Sequence, residues 1–279
     1  HVPAVHHAGK FLFKVGDDLR DVALQTLEHH LPADKWLACV VLLVEKPRRH
    51  IGIPHQHMPA HAEAVLDGEV GTKILSDLES SGLIGLAWWL QGWRELTTDN
   101  IEFHKAGDLN GCKMRVQDNE VHIMTWQLLG ASPTTLAYSE LFTALQQGTI
   151  NAEENPISNI KLSGFSEVQK YLIKTDHIYD PIPVVMSKKT WDKLDPAAQE
   201  IIKKAAKESA DWERDYAADY DDEFWPDDVD FALAGKTYDE LTDEEKAALR
   251  EAVQPVYDKY ASTIGQDLID AVAAAEPKN

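Results

Sequence analysis

The chain has only two cysteines, Cys39 and Cys112, among 279 residues, too few for the disulfide framework of a small secreted domain. Long apolar runs are also missing. The longest, residues 36–44, is too short to cross a bilayer and is typical of a buried strand. No signal peptide is visible, so an exported protein would be present here as its mature form or a fragment. We therefore expect no membrane insertion.

Positive charge is scarce as well. The sequence has 27 Lys and Arg against 47 Asp and Glu, a net charge of −20, which opposes binding to nucleic acid or to an anionic membrane surface. With 44% hydrophobic residues the chain can bury a sizeable core and is long enough for two lobes of ordinary domain size.

Common catalytic signatures are absent: the sequence has no G-x-S-x-G elbow, no H-E-x-x-H, no P-loop and no G-x-G-x-x-G between a strand and a helix. One cluster, His55, His57 and His61, has a spacing that could ligate zinc or nickel. A metal-dependent enzyme that uses these histidines is therefore one alternative. The cluster lacks further ligands, so we expect no metal site, no cofactor and no enzyme.

The composition changes near residue 60. Residues 1–59 carry seven Lys or Arg and six Asp or Glu, a net of +1, so the other 220 residues carry −21. Nine of the twelve histidines fall in the first 61 positions. Within this stretch, residues 19–31 could form a helix and residues 36–45 a strand.

Beyond residue 60, helical and strand patterns alternate, which predicts an α/β fold with mainly parallel sheets. The pattern predicts helices at residues 61–78, 120–129 and 139–147, and a buried strand at residues 83–90. Asp195 and Pro196 form a helix start, and that helix can extend to Phe224 before Pro226 stops it.

Two features of the helices after residue 195 give further predictions. The long helix carries aromatic residues at every fourth position, which we expect to pack on the protein's own lobes: Trp212, Tyr216, Tyr220 and Phe224. Thr242 to Glu245 has the pattern of a capping box that opens another helix, and Pro255 should end or kink that helix.

Arg115 is the most informative single residue. It lies in a predicted short strand, residues 113–116, that follows a Gly turn, and its neighbours should be at least partly buried. A buried arginine needs an anion, and a planar guanidinium matches a carboxylate in a bidentate pair. The partner could be an internal Asp or Glu, or the carboxylate of a ligand.

Several segments, in this order and at these spacings, resemble the solute-binding component of tripartite ATP-independent periplasmic (TRAP) transporters, the dicarboxylate-binding DctP type. They are HAEAVLDGEVG (61–71), GLIGLAW (82–88), GWR (92–94), DLNG (108–111), KMRV (113–116), LGASPT (129–134), SELFTALQQG (139–148), ENP (154–156), KYLI (170–173) and MSKK (186–189).

The resemblance implies a two-lobed periplasmic binding protein, type II-like, in which a long helix spans both lobes. Lobe I would comprise residues 1–92 and 181–220, and lobe II residues 93–180 and 221–279. Residues 1–59 lack the family's opening pattern, through either a truncated or frame-shifted gene start or real divergence. We favour the first explanation, which predicts an incomplete first lobe and weak or absent binding.

The resemblance also implies the site. Arg115 corresponds to the arginine that pairs with the ligand carboxylate, and Asn155 to the asparagine that binds the ligand from the opposite side. Arg94 corresponds to a second arginine near the site, or has a structural role. His177 corresponds to a histidine of the polar network behind the ligand.

Two aromatic positions complete the predicted site. Tyr138 lies where the family places an aromatic residue, commonly Phe, in the pocket, so its hydroxyl would be an extra polar contact. Trp88 and Trp89 follow each other in a strand, so one should face the core and the other the ligand cleft. We include Trp88 among the candidate ligand contacts.

The implied function is that of an extracytoplasmic, periplasmic protein that captures a small organic acid and delivers it to a TRAP membrane permease driven by an ion gradient. We expect a monomer. A second alternative is a ligand sensor that serves a receptor kinase. The ligand itself stays open, because dicarboxylates, keto acids, sugar acids and aromatic acids all present the same carboxylate to Arg115.

Overall fold

A computed structural model of the chain describes residues 58–224 and 236–275. Several sequence predictions fall on residues outside this part: the incomplete opening of lobe I at residues 1–59, of which only 58 and 59 are described, the helix at 19–31 and the strand at 36–45, which includes Cys39. Within the described ranges, no helix combines the length and the apolar character needed to cross a membrane.

Eleven α-helices and six strands make up the described part of the chain. The helices are α1 Met58–Leu66, α2 Glu69–Asp77, α3 Glu120–Leu128, α4 Tyr138–Gln146, α5 Ile157–Leu162, α6 Phe165–Val168, α7 Lys188–Trp191, α8 Pro196–Phe224, α9 Asp243–Ala252, α10 Gln254–Ile264 and α11 Gln266–Ala274. The strands are β1 Leu83–Thr98, β2 Lys113–Val116, β3 Ser132–Thr135, β4 Ala152–Pro156, β5 Tyr171–Ser187 and β6 Thr237–Glu240.

The strands form one six-stranded sheet in the order β3-β2-β4-β1-β5-β6. The α/β class is confirmed, but the sheet is mixed and not mainly parallel. β2 runs parallel to β3 and β4, and β5 runs parallel to β6. The central strand β1 is antiparallel to both of its neighbours, β4 and β5.

β1 and β5 are the longest strands, with 16 and 17 residues, and they pair over most of their length. Their register is irregular at three places, between Gly85 and Ala87, between Leu90 and Trp93, and between Arg94 and Leu96. Both strands run through the positions at which the sequence prediction divides the lobes, 92/93 and 180/181. The predicted strand 83–90 is therefore only the first half of β1.

Two hydrophobic clusters lie against this sheet. The larger packs the inner residues of β1, β2 and β5 against α1, α3 and α10, and it includes Trp126 and Phe103, whose ring centroids are 6.1 Å apart. The smaller packs β5 residue Leu172 against α4, α5 and α6, around Ile160 and Phe165. β4, between β2 and β1, is fully buried, so its side chains lie in the interior of the fold.

The local helix signals are largely confirmed. α8 begins at Pro196, and the Asp195 carboxylate accepts from the Ala198 amide at 2.9 Å, as expected for a cap. α9 opens with the predicted capping box of Thr242 and Glu245. Pro255 stands in the first turn of the separate helix α10. One prediction was wrong: residues 61–78 do not form a single helix, because the chain breaks at Gly68 between α1 and α2.

Two of the four aromatic residues of α8 differ from the prediction, and the side chains of the other two, Tyr220 and Phe224, lie outside the described part of the structure. Trp212 and Tyr216 are 66% and 49% exposed, and they stack on each other with ring centroids 5.4 Å apart. α8 packs instead through small residues, Ala206 and Ala210, and through the buried Arg214, whose Nε donates to the Trp88 carbonyl of β1 at 3.0 Å. Alanines bring the helix close to the strand, so the larger side chains point away.

Candidate functional site

Arg115 lies on β2 and is only 7% exposed. Its Nε donates to the Leu136 carbonyl at 3.2 Å, and its guanidinium lies 5.7 Å from the centre of the Tyr138 ring. Among residues 58–224 and 236–275, no carboxylate forms a salt bridge with it. Burial lowers the pKa of Arg115. The group stays cationic near neutral pH all the same, because an ordinary arginine pKa lies above about 12.

Arg94, on β1, differs from Arg115 because it forms salt bridges with carboxylates. Its Nε donates to Glu154 Oε2 at 2.6 Å and its Nη1 to Asp180 Oδ2 at 2.7 Å, and its Nη2 donates to the Glu154 carbonyl at 2.7 Å. Burial alone would lower the pKa of Arg94, but the two carboxylates raise it above its ordinary value. These internal contacts are the ones expected of the structural role that the sequence left open for Arg94.

Glu154 is the centre of a buried polar network. Besides Arg94, it contacts His177 Nε2 at 3.0 Å and His122 Nδ1 at 3.4 Å. Burial raises the pKa of Glu154, yet the arginine and the two imidazoles hold it well below its usual range. Glu154 is thus an ionised, fully paired carboxylate. Glu154 lies on β4 and is contacted from β1 by Arg94, from β5 by His177 and from α3 by His122.

Asn155 follows Glu154 on β4 and connects this network to a further carboxylate. Its Oδ1 accepts from Arg94 Nη2 at 3.3 Å, and its Nδ2 donates to Glu153 Oε2 at 2.6 Å. Because Arg115 and Glu153 are register partners, Asn155 lies two residues beyond the partner of Arg115. The structure therefore brings Arg115, Asn155 and Arg94 to one region of the sheet.

His177 reaches Glu154 from a bulge in β5. The residues before and after the bulge, Ile173 and Ile178, pair with Leu96 and Arg94, so four residues of β5 stand opposite Glu95 alone. The Glu95 carboxylate accepts from the backbone amides of Thr175 at 2.6 Å and Asp176 at 2.9 Å. Asp176 has φ of +45°, an uncommon value for a residue with a side chain.

Contacts with other parts of the molecule fix the bulge further. Asp176 Oδ2 binds Lys246 Nζ of α9 at 2.5 Å, and His177 Nδ1 lies 2.7 Å from Thr175 Oγ1. The His177 ring also meets Trp126 edge to face, 5.0 Å between centroids. Burial lowers the pKa of His177, against its hydrogen bond to Glu154, which raises it.

The two predicted aromatic contacts lie in different surroundings. Tyr138, half-buried at the start of α4, has its hydroxyl 2.6 Å from Ser163 Oγ and its ring against both Phe165 and Arg115. Trp88, in contrast, is 3% exposed in the main core, and its Nε1 donates to the Gly71 carbonyl at 3.3 Å. Its neighbour Trp89 is 37% exposed and faces α8. Trp88 is therefore left out of the site proposed below.

Sequence reasoning gave no role to Glu153, Glu154, His122 or Asp180. Glu153 is fully buried, with its Oε1 accepting from Thr97 Oγ1 at 2.6 Å, and burial raises the pKa of its carboxyl to about 7. The signal was present, since two adjacent carboxylates in a buried strand require partners. Local patterns do not show which residues supply them.

Among residues 58–224 and 236–275, no group of three or more His, Cys, Asp or Glu is arranged to hold a metal ion. His61 lies in α1, whereas His55 and His57 fall outside the described residues. The chemistry that the site can perform is recognition: a buried cation that forms no salt bridge with a carboxylate of the described residues, next to an arginine that forms two. A planar carboxylate suits that cation best.

The fold and this site define a class of protein. Residues 58–263 match the DctP family of bacterial extracellular solute-binding proteins, family 7, and the chain belongs to that family. The match begins next to the change in composition near residue 60. The resemblance seen in the sequence is thereby confirmed.

Individual relatives support membership of this family. The chain is 37% identical over 212 residues to the C4-dicarboxylate-binding periplasmic protein DctP of Rhodobacter capsulatus, an alignment that covers 76% of this chain and 62% of that protein. It is similar to the TRAP periplasmic solute-binding protein of Polaromonas sp. JS666 bound to D-erythronate, with 32% identity, a TM-score of 0.76, and coverage of 90% and 77%. The chain spans a little under two thirds of the length of the curated relatives it matches.

Proposed function

We propose that this protein captures a small organic acid outside the cytoplasm by pairing the acid's carboxylate with Arg115, without chemical change. The contrast between the two buried arginines supports this function. Arg94 has two carboxylate partners, whereas no carboxylate in the described parts of the chain forms a salt bridge with Arg115. Leaving a guanidinium buried and unpaired is costly, and a ligand carboxylate would remove that cost.

The surrounding groups suit such a ligand. The Glu154 network holds Arg94 and the Asn155 amide in place, so the proposed contact with Asn155 would be ordered before the ligand arrives. Tyr138 lies against Arg115 and could reach a hydroxyl or keto group next to the carboxylate. His177 belongs to the network behind Arg94, so we assign it a supporting role.

Capture by closure of two lobes is the mechanism we propose. β1 and β5 are the segments that would join the lobes, at residues 92/93 and 180/181, and their register is irregular close by, between Leu90 and Trp93. An interrupted ladder bends more easily than a regular one. On closure, Arg115 and the carboxylate would both lose water and gain each other.

We propose further that the ligand-bound form acts in the periplasm as a monomer and passes the acid to a TRAP permease. Family membership supports this, as do the relatives, which include a periplasmic C4-dicarboxylate-binding protein, a TRAP solute-binding protein solved with succinate and a sugar-acid-binding protein solved with galactonate. The sugar acids among these ligands suit the polar groups of Tyr138 and Asn155.

A thermal-shift screen tests the proposed function. The panel is D-erythronate, succinate, galactonate and D-glucuronate, with D-erythronolactone as a neutral control. At a concentration of one hundred times Kd, an acid adds about 2.7 kcal/mol of stability, which raises Tm by roughly 5–10 °C in a protein of this size. The lactone should give no shift. Equal shifts with acid and lactone would refute the assignment, whereas no shift with any acid of a wider panel would match the incomplete first lobe predicted from residues 1–59.

Tyr138→Phe should change selectivity more than overall affinity. The hydroxyl contributes at most a neutral hydrogen bond, about 0.5–1.5 kcal/mol, so the ranking of hydroxy acids against plain acids should shift by roughly two- to tenfold. Calorimetric titration of D-erythronate and succinate measures the ratio, and Asn155→Ala should shift it as well. Tyr171→Phe, which removes a hydroxyl bonded to Glu102, is the matched control. An unchanged ranking in both variants would exclude Tyr138 and Asn155 from the site.

A further inference from the structure

Glu153 occupies the middle of a row of side chains that crosses three adjacent strands. It is the register partner of Arg115 on β2 and of Thr97 on β1. Register partners project on the same face of a sheet, and neighbouring strands are about 4.8 Å apart. The carboxyl of Glu153 is therefore a close, fully buried neighbour of the guanidinium proposed to bind the ligand.

Both oxygens of Glu153 are engaged. Oε1 accepts from Thr97 Oγ1 and Oε2 accepts from Asn155 Nδ2, each at 2.6 Å. The second bond orients the Asn155 amide, whose Oδ1 accepts from Arg94. Glu153 thus touches one proposed ligand-binding residue directly and adjoins the other in register.

The charged groups near Arg115 already have a net negative charge, which opposes the binding of an anion. Two guanidinium groups, Arg94 and Arg115, lie near three buried or half-buried carboxylates: Glu153, Glu154 and Asp180. When all five groups are ionised, their net charge is −1. An incoming carboxylate would make the net charge −2 in a region of low dielectric constant. Arg94 forms salt bridges with Glu154 and Asp180, so Glu153 is the carboxyl of these three that has no arginine salt bridge and can take up a proton.

We propose that Glu153 is a positioning residue that couples anion capture to proton uptake: its carboxyl orients Asn155 and accepts a proton from solvent when an organic anion binds at Arg115. This inference rests on the proposed function. One proton is bound from water for each anion bound, and the net charge of the site stays at −1. Burial raises the pKa of Glu153 to about 7, so in the free protein this proton would exchange near neutral pH.

Other charged or titratable groups surround Glu153. Each strand or helix packed near it contributes at least one, either directly or through Asn155 and Glu154: Arg94 and Glu95 on β1, Arg115 on β2, Glu154 on its own strand, His177 on β5, His122 on α3 and Tyr138 on α4. Burial raises the pKa of Glu95, the register partner of Asn155, well above its usual range. Burial lowers the pKa of His177, so its titration lies on the acid side of Glu153. A variant at Glu153 separates its contribution from the others.

Affinity for the anion should fall as pH rises, because burial raises the pKa of Glu153. Below about pH 7 Glu153 is already neutral, and the anion binds without proton uptake. Above pH 7 each binding event must first add a proton, so affinity falls by up to tenfold per pH unit. Between pH 6 and pH 8 we expect the affinity of the wild-type protein for D-erythronate to fall about tenfold.

Glu153→Gln is the decisive variant, because a glutamine keeps the shape and can still accept from Asn155 and donate to Thr97. Titration calorimetry with D-erythronate, or with the panel acid of largest thermal shift, measures affinity from pH 6 to 8.5 in HEPES and in Tris. The difference between the two buffers gives the protons taken up. Wild type should bind close to one proton per anion at pH 8, and Glu153→Gln close to none, with an affinity that varies less than twofold with pH.

Glu213→Gln is the matched control. Burial likewise raises the pKa of Glu213 to about 7, but this residue lies on α8, where its carboxylate accepts from the Leu90 amide. Its replacement should leave the pH profile of binding unchanged. A carboxyl resonance in the carbon NMR spectrum that is missing from Glu153→Gln should titrate near pH 7 in the free protein and at a higher pH with the acid bound.

The outcomes separate the two proposals. If wild type and Glu153→Gln both bind acids through Arg115 with the same pH profile, proton coupling by Glu153 is refuted while the proposed function stands. A pH dependence that persists in Glu153→Gln, or disappears in Glu213→Gln, also refutes it. If no acid binds to either protein, both proposals fail together.

Discussion

Arg115→Ala is expected to weaken the binding of any organic acid by roughly thirty- to several-thousand-fold. The variant removes the only buried cation near Asn155 that forms no salt bridge within residues 58–224 and 236–275. Truncating one member of a desolvated, hydrogen-bonded charge pair costs on the order of 2–5 kcal/mol. Calorimetric titration with the best acid of the panel measures the change.

Arg115→Lys is the informative companion. A lysine keeps the charge but presents one ammonium in place of a planar fork, so it cannot reproduce a bidentate pair with a carboxylate. Its affinity should therefore fall between those of wild type and Arg115→Ala. Circular dichroism confirms that each variant is folded. A folded Arg115→Ala protein that binds the acid within threefold of wild type would rule out Arg115 as the carboxylate partner.

Arg94→Ala should lower the free energy of unfolding by about 3–5 kcal/mol, the largest stability change we expect from a single substitution at the site. Arg94 is fully buried and supplies hydrogen bonds to Glu154, Asp180 and Asn155. Without it, the buried Glu154 carboxylate keeps only two imidazoles as partners. Chemical denaturation with urea measures the loss.

Lys73→Ala is the matched control for that measurement, because Lys73 forms an exposed ion pair with Asp77 on α2 at 2.7 Å. Exposed pairs contribute little, so the change should stay within about 1 kcal/mol. An Arg94→Ala protein as stable as Lys73→Ala would show that the Glu154 network does not hold this part of the sheet together.

Local signals in the sequence were enough to locate many elements. Lys113–Val116 is the predicted strand, α8 has its predicted limits, and Thr242 caps α9 as expected. Each of these rests on chemistry within a few residues, such as a side chain that accepts from an amide three positions later. The predicted strand at 83–90 stopped short because Arg94 and Glu95 do not resemble buried residues.

The site was harder to predict, because its contacts join residues far apart in the chain. Arg94 binds Glu154 across 60 positions and Asp180 across 86. These pairs become visible only when β4 and β5 are placed on either side of β1. The sequence alone indicated that Arg115 needed an anion. It could not indicate that Arg94 already had two, a difference on which our proposal depends.

The bulge in β5 also determines which face of the sheet each later residue of the strand points to. Side chains alternate between the two faces of a sheet, and Ile173 and Ile178 are an odd number of positions apart, yet they share a face, because their partners on β1, Leu96 and Arg94, are two positions apart. They share it because three extra residues opposite Glu95 reverse the alternation. A deletion of one residue from this loop would turn Ile178 away from the core, whereas a deletion of two would preserve its phase. The three extra residues of this loop therefore keep Ile178 on the face of the sheet that Ile173 occupies.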